Sequence, residues 1–448
     1  MARFSTIALS LCSLFVLSGA TLRGQVWEGK QLLPIPEPVT NNAVAEGRVG
    51  DTLFLYSFGG LDSTKLFSGI HRRCWRYNTI SHRWEAIPSL PDTLGKIASA
   101  ASRVGDTIYI VGGYYVFANG SEVSSDRVHR FDVRRNRFVA DGTPVPKPID
   151  DHVQVVWRDR LIYVITGWSN SGNVSDVQIY DPINDTWNSG IPVPNSTRYT
   201  AFGASGAIVG DTIFYHGGAS GGFNFPIRNV MRKGVIDPEN PTSIVWSEVD
   251  APDLPPGYRT AAATSNGVVY WIGGSNLTYN YDGIAYNGSG GVEPSEQIVQ
   301  FNPENSSWSV QALSGLPMDL RGIAQVDEQT FVLVGGMVEG QQVSSQVLRL
   351  HLDDKSGVES VEGKVRDRVE VAELNGVIRL RFNAVVTDPV QVSFTNLLGM
   401  SFEPSLQVDR MAKGGELLIS TEELQTGSYI LSIQVGRESW SRVIRIVR

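Results

Sequence analysis

Five glycine pairs punctuate the chain at nearly even intervals: Gly59-Gly60, Gly112-Gly113, Gly217-Gly218, Gly273-Gly274 and Gly335-Gly336. A sixth site, Thr166-Gly167 in LIYVITG, has lost its first glycine. With Gly167 included, the second glycines fall at 60, 113, 167, 218, 274 and 336, an almost constant step. Such a period points to one supersecondary unit repeated six times, because a unit of this size cannot bury its apolar face alone. Three copies of one phrase lead into the pairs: Val49-Gly50-Asp51-Thr52, Val104-Gly105-Asp106-Thr107 and Val209-Gly210-Asp211-Thr212. A short aromatic–aliphatic run, read as a strand, joins each phrase to its glycines.

The remainder of each unit carries an aromatic–Asx step and then a large aromatic. These are Tyr77-Asn78 to Trp84, Phe131-Asp132 to Phe138, Tyr180-Asp181 to Trp187 and Phe301-Asn302 to Trp308, with Ile236-Asp237 to Trp246 in the fourth unit. Glycine pair, Tyr-Asp and Trp in this order resemble the kelch family, and the resemblance covers most of the chain. It implies an all-β, six-bladed propeller. Glycine is needed where a side chain would strike the neighbouring blade, and the aromatics fill the wedge between blades. No Trp follows the sixth glycine pair, whereas an extra one, Trp27, stands ahead of Gly60. Its lead over Gly60 is close to that of Trp84 over Gly113 and of Trp187 over Gly218. The segment around Trp27 is therefore expected to supply the outer strand of blade six and close the ring.

The two ends differ from this repeat. Arg3, an apolar core over 7–17 and the small residues Ser18-Gly19-Ala20 read as a secretory signal over 1–24. The apolar core is too short to span a bilayer, and no other stretch is long enough. The propeller is assigned to 25–352 and a charged linker, with room for one strand, to 353–373. Alternating runs such as VIRLRF and YILSIQV over 374–448 predict a small antiparallel sandwich. Within it, TNLLGM, LQTGSYILSI and the terminal SRVIRIVR resemble the type A C-terminal sorting domain of the type IX secretion system, with Asn396 where that family often has Asp. This resemblance implies export through that machinery, in a secreted or cell-surface protein.

Composition narrows the function. Lys and Arg total 38 against 46 Asp and Glu, a net charge of −8, with no basic block, which argues against nucleic-acid binding. Two cysteines exclude a disulfide framework and a thiolate zinc site. No histidine has metal-ligand spacing, and no phosphate loop, nucleophile elbow or His-Glu-x-x-His is present, so neither metal nor cofactor is expected.

In a kelch blade, the resemblance implies, the loop entering the inner strand and the loop after the glycines share one face. Before the inner strands the sequence offers Asn41 and Asn42, Lys96, Asp150-Asp151-His152, Arg198-Tyr199, Tyr258-Arg259 and Arg321. After the glycines it offers Tyr114 to Phe117, Trp168, Phe223, Phe225 and the Tyr279 to Tyr286 stretch. Lys96, His152, Trp168, Arg198, Arg259 and Arg321 are the candidate ligand contacts. His152, Arg259 and Arg321 precede Thr166, Gly273 and Gly335 by one common offset. Lys96 stands two positions further from Gly112, and Arg198 further still from Gly217. Offsets that are equal or differ by two share strand parity, which predicts that Lys96, His152, Arg259 and Arg321 point to equivalent sides of their blades. Cations converging with aromatics suit a glycan or an acidic peptide, through forked hydrogen bonds to carboxylates and stacking on sugar faces. Asp151 and His152, adjacent on a strand, face opposite ways and make a poor acid–base dyad. The expected function is an exported binding protein for a carbohydrate or other anionic ligand. The alternative is a sugar-directed enzyme such as a sialic acid mutarotase, an N-acetylneuraminate epimerase, by analogy of fold.

Overall fold

The computed structural model describes residues 26–353 except 252, and in the C-terminal part 369–374, 377–382, 390–396, 401–402, 416–421, 424–435 and 438–446. The segment read from the sequence as a leader, residues 354–368, and residues 397–400 and 447–448 of the segments that resemble sorting motifs lie outside the described residues. Trp27–Asp353 forms one compact unit, and the C-terminal strands belong to a second.

The first unit is six antiparallel sheets, each built on a path of four strands; blade two adds a fifth, Glu122–Ser124. Two short two-stranded sheets, Trp168–Ser169 with Gly172–Asn173 and Met337–Val338 with Gln342–Val343, stand beside the blades. Blade one runs outward through Ala43–Val49, Thr52–Leu61, Ile70–Asn78 and Arg83–Ile87. The inner strands of blades two to six are Ile97–Val104, Val153–Trp157, Ser205–Val209, Ala261–Ser265 and Ala324–Asp327. Blade six takes its outer strand, Val26–Gln31, from the opposite end of the chain, paired to Val347–Asp353. Trp27 anchors it there, 3% exposed, with its ring 5.0 Å from that of Tyr270 and 5.6 Å from that of Phe331. The expected six blades and N-terminal closure are what the chain forms.

The glycine pairs mark where each second strand reaches the loop end of its blade, within the strand in blades one and two and directly after it in the others. The first glycines all have left-handed φ, between 61° and 75°. A Cβ on Gly217 would overlap the Gly257 carbonyl oxygen of the approaching inter-blade loop. Blade three keeps the same turn without the glycine: Thr166 holds φ 46°. Its hydroxyl donates to the Val174 carbonyl at 2.8 Å and accepts the Ala201 N–H at 3.0 Å. Those bonds offset the strain of a β-branched residue there.

In the C-terminal unit, Val369–Leu374, Val377–Phe382 and Glu416–Ser420 form one sheet. Ser401–Phe402, Val390–Asn396, Gly427–Val435 and Glu438–Ile446 form another. Ile378, Leu380 and Ile419 of the first share a core with Val392, Phe394, Leu431 and Ile433 of the second. This is a small β-sandwich. Among the described residues no helix is long and apolar enough to cross a membrane.

Candidate functional site

Each inner strand of the propeller is entered through one bridged residue, in blade two the strand's own first residue, that pins the incoming chain to the segment after the glycines. The pairs are Thr40–Leu61, Ile97–Tyr114, Asp150–Trp168, Phe202–Ala219, Tyr258–Ser275 and Met318–Met337. The next residue in every blade has left-handed φ: Asn41, Ala98, Asp151, Gly203, Arg259 and Asp319, between 47° and 66°. That twist turns successive blades toward one another, and hydrogen bonds run around the axis. The N–H groups of Asn41, Asp151, Gly203 and Arg259 reach the carbonyls of Asp319, Ala98, Asp151 and Gly203. Leu320 N–H reaches the Arg259 carbonyl, and Ala98 N–H reaches Asn41 Oδ1 at 2.8 Å.

The ring brings opposite charges together. Arg259 donates through Nε and Nη2 to the two oxygens of Asp151, at 3.2 and 2.8 Å, and through Nη1 to Asp319 Oδ1 at 2.9 Å. Arg321 reaches Asp151 Oδ1 at 3.2 Å and the His152 carbonyl at 3.0 Å. Thr40 and Asn41 complete the shell of Asp319 at 2.8 and 3.0 Å. The side chains of Arg259, Arg321, Asp151 and Asp319 are all at most 3% exposed. Burial alone would push Asp151 up, but Arg259 and Arg321 outweigh it and hold its carboxyl below the ordinary value. The arrangement is a neutral plug of two cations and two anions across the channel.

Above the plug, between the loops, lies a recess of about 160 Å³. Its walls are Trp168, Phe202, Phe225 and Tyr286, with edge-on ring contacts of 5.4 Å between Trp168 and Phe202 and 4.8 Å between Phe225 and Tyr286. Its polar groups are Glu122, Asp150, Asp151, Arg259, Asn280 and Tyr114. Asp150 is 4% exposed and accepts the Ser124 hydroxyl at 2.6 Å. Burial, then the adjacent Asp151 charge, raises its carboxyl well above the ordinary value. Desolvation likewise raises Glu122, against the pull of Arg259. Further along the inner strands, on the other side of the plug, is a chamber of about 290 Å³. It is lined by small residues such as Ala101, Ala207 and Ala263 and by polar Glu46, Ser102 and Gln154.

Of the residues expected to converge, Trp168 and Arg259 line the recess, and His152 and Arg321 line the chamber behind it. Lys96 and Arg198 line neither. Lys96 is buried with its ammonium 3.7 Å from Asp92, and burial pulls it down to about 8. Arg198 makes a forked pair with Glu248 at the exposed edge of blade four. The single cationic mouth expected from the sequence is therefore not formed.

The equivalence inferred from parity also fails, for a geometric reason. Counting back from the glycines crosses the inner hairpin, and that hairpin varies in length. Its bridged ends are Thr40 and Leu61 in blade one, Tyr258 and Ser275 in blade five, and Met318 and Met337 in blade six. Blade six also carries a bulge between Gln325 and Asp327. The true counterparts of Arg259 are Asp151 and Asp319. Asp151 and His152 do face apart, as expected: the imidazole Nε2 meets Gln154 Oε1 at 3.1 Å while Asp151 meets Arg259. Burial, then Arg321, holds that imidazole down to about 4. Sequence reasoning missed Asp319, Glu122 and Phe202; the bridged position that brings Asp319 into line with Arg259 shows only in the fold.

The KLHDC2/KLHL20/DRC7 Kelch-repeats domain family matches residues 48–274. Kelch-like protein 25 of Xenopus tropicalis is 28% identical over 172 residues, 37% of this chain and 27% of that protein. Kelch-like protein 15 of Homo sapiens is 22% identical over 324 residues, 68% of this chain and 48% of that protein. The chain thus spans less than half the length of these relatives. The solved structure of YjhT superposes with a TM-score of 0.56 at 16% identity, covering 70% of this chain and 95% of that one, a likeness of fold.

Proposed function

The chain belongs to the kelch-repeat family, and from that premise we propose that its propeller is an exported binding module whose ligand, a carbohydrate, sits in the loop-face recess. One observation carries the reading: four aromatic rings and a set of planar polar side chains converge on one concave site. Rings stack on the apolar face of a sugar, while carboxylates and Asn280 accept and donate to its hydroxyls. Phe117, Phe223, Leu277 and Ile284 stand exposed on loops after the glycine pairs, which supports that face as the one a larger glycan would cover. The anionic ligand loses its support, because both arginines near the recess already serve Asp151 and Asp319.

Export rests on the leader and sorting-domain resemblances. Deleting 374–448 is expected to strand the protein inside the outer membrane; efficient surface delivery of the truncated chain would remove that part of the reading. A glycan array on the full mature chain tests the ligand, with Trp168→Ala expected to lose at least about tenfold in affinity for any hit. A hit that Trp168→Ala leaves unchanged, or no hit at all, would defeat the recess as a sugar site. Accelerated anomerisation of a bound sugar would turn the binding reading into the enzymatic one.

A further inference from the structure

The recess contains more carboxyl groups than its own cations can pair. Asp151 and Asp319 are matched by Arg259 and Arg321, so the plug below it is neutral. That leaves Glu122 and Asp150, both lining the recess, with no cation of the described residues bonded to either. Arg259 is the only basic residue among those lining the recess, and three of its donors are already committed.

Two polar groups more than nine-tenths buried are left open there. Asp150 uses one carboxylate oxygen for Ser124; its other oxygen makes no hydrogen bond within the described residues. Tyr114, 5% exposed, likewise has a hydroxyl with no such bond. Around them stand Trp168, Phe202, Phe225 and Tyr286, whose ring faces favour a cation as well as an apolar surface.

We propose that the group seated in this recess is a protonated amine lying beside an apolar face, held by Asp150 and Glu122 and enclosed by Trp168, Phe225 and Tyr286. The inference rests on the reading of the recess as the ligand site and adds the charge of what it takes. Two sources carry that chemistry, an amino sugar and a lysine side chain. A buried, singly satisfied carboxylate stabilises an ammonium through a charge-assisted hydrogen bond. An N-acetylated analogue is bulkier and brings no charge to the carboxyl groups, and a carboxylated one sets like charges together.

Calorimetric titration of the full mature chain at pH 7 with five probes tests this: glucosamine, N-acetylglucosamine, glucuronate, Nα-acetyl-lysine amide and its Nε-acetylated form. The expected result is at least about tenfold tighter binding of an amine than of its acetylated counterpart, weakening as salt rises. Preference within the sugar pair assigns an amino sugar, and preference within the lysine pair assigns a lysine side chain. Asp150→Asn and Glu122→Gln should each erase most of the preference; Glu122, exposed at the rim, provides a variant whose folding is not in question. Equal affinity for glucosamine and N-acetylglucosamine with no lysine preference, or tighter binding of glucuronate, overturns the inference and leaves the sugar-binding reading standing. Failure of all five probes also overturns it, and the glycan array then decides the reading of the recess by itself.

Discussion

The two halves of the central channel rest on the same six inner strands and share almost nothing else. At the loop end, Asn41, Ala98, Asp151, Gly203, Arg259 and Asp319 occupy equivalent left-handed positions and lock together. At the hairpin end, small residues such as Ala101, Ala207 and Ala263 leave a chamber of about 290 Å³. Backbone symmetry therefore does not dictate the character of a tier. Six identical residues at the loop-end ring would, if charged, repel one another at close range. Only divergence among the copies lets Arg259 lie between Asp151 and Asp319. The asymmetry of the ring is what permits a buried ionic plug, and the small residues need no such partner.

The largest test of this contrast is Arg259→Ala. It leaves Asp151 and Asp319 buried without their main cation and is expected to cost about 3–5 kcal/mol of stability. Thermal unfolding would measure it. A melting temperature close to that of the native chain would show that the plug contributes nothing structural.

A second test lies where the two tiers meet. His152, and His216 behind two carbonyls, are held down to about 4, so the folded protein keeps them neutral where the unfolded chain would protonate them. Their contribution is whole above the ordinary imidazole value and drains as the pH falls toward 4, by on the order of 3 kcal/mol each. His152→Gln should flatten the fall in stability over that window, and an unchanged slope would contradict the burial assigned to this imidazole.

Asp150 acts in the opposite sense. A raised carboxyl contributes stability below its ordinary value that is lost as pH rises, so at pH 7 Asp150→Asn should be stabilising by ~1 kcal/mol, with the Ser124 bond kept. A loss of stability would mean that the carboxylate is already compensated. The smallest change belongs to the chamber: Ser102→Ala removes one bond to Gln154 at 2.9 Å and should cost about 0.5–1.5 kcal/mol. A cost as large as that of Arg259→Ala would erase the distinction between the tiers.

The same contrast explains which parts of the molecule could be read from sequence. Gly217 and its counterparts were visible because a backbone demand, repeated in every blade, leaves a period; so did the aromatics, and Trp27 revealed closure by its displacement. Arg259 and Asp319 share no period, since their meeting depends on each being unlike its counterparts. Their partnership joins two blades across a long stretch of chain. Register was lost for a simpler reason: hairpins of unequal length hide which positions correspond. Trp168, Phe225 and Tyr286 were among the aromatics collected because loops after the glycines start from a fixed landmark. Phe202 precedes an inner strand across a hairpin of variable length. Glu122, though it follows Gly113 in the same way, is a single carboxylate that a search for aromatics and cations passes over.

The strand that completes blade six has a consequence for how the chain folds. Leu32 N–H meets the Val347 carbonyl at 2.8 Å, a contact between opposite ends of the propeller's sequence. Blades one to five can each form by local hairpins, but the last must wait until both distant segments exist. The entropic penalty of joining them is modest, since loop closure grows with the logarithm of length; beyond the closing of a single repeat it adds only about 1.6 kcal/mol. The burden is one of timing. During synthesis the ring is an open arc with two unsatisfied edges, and docking of one short strand turns that arc into a closed circle.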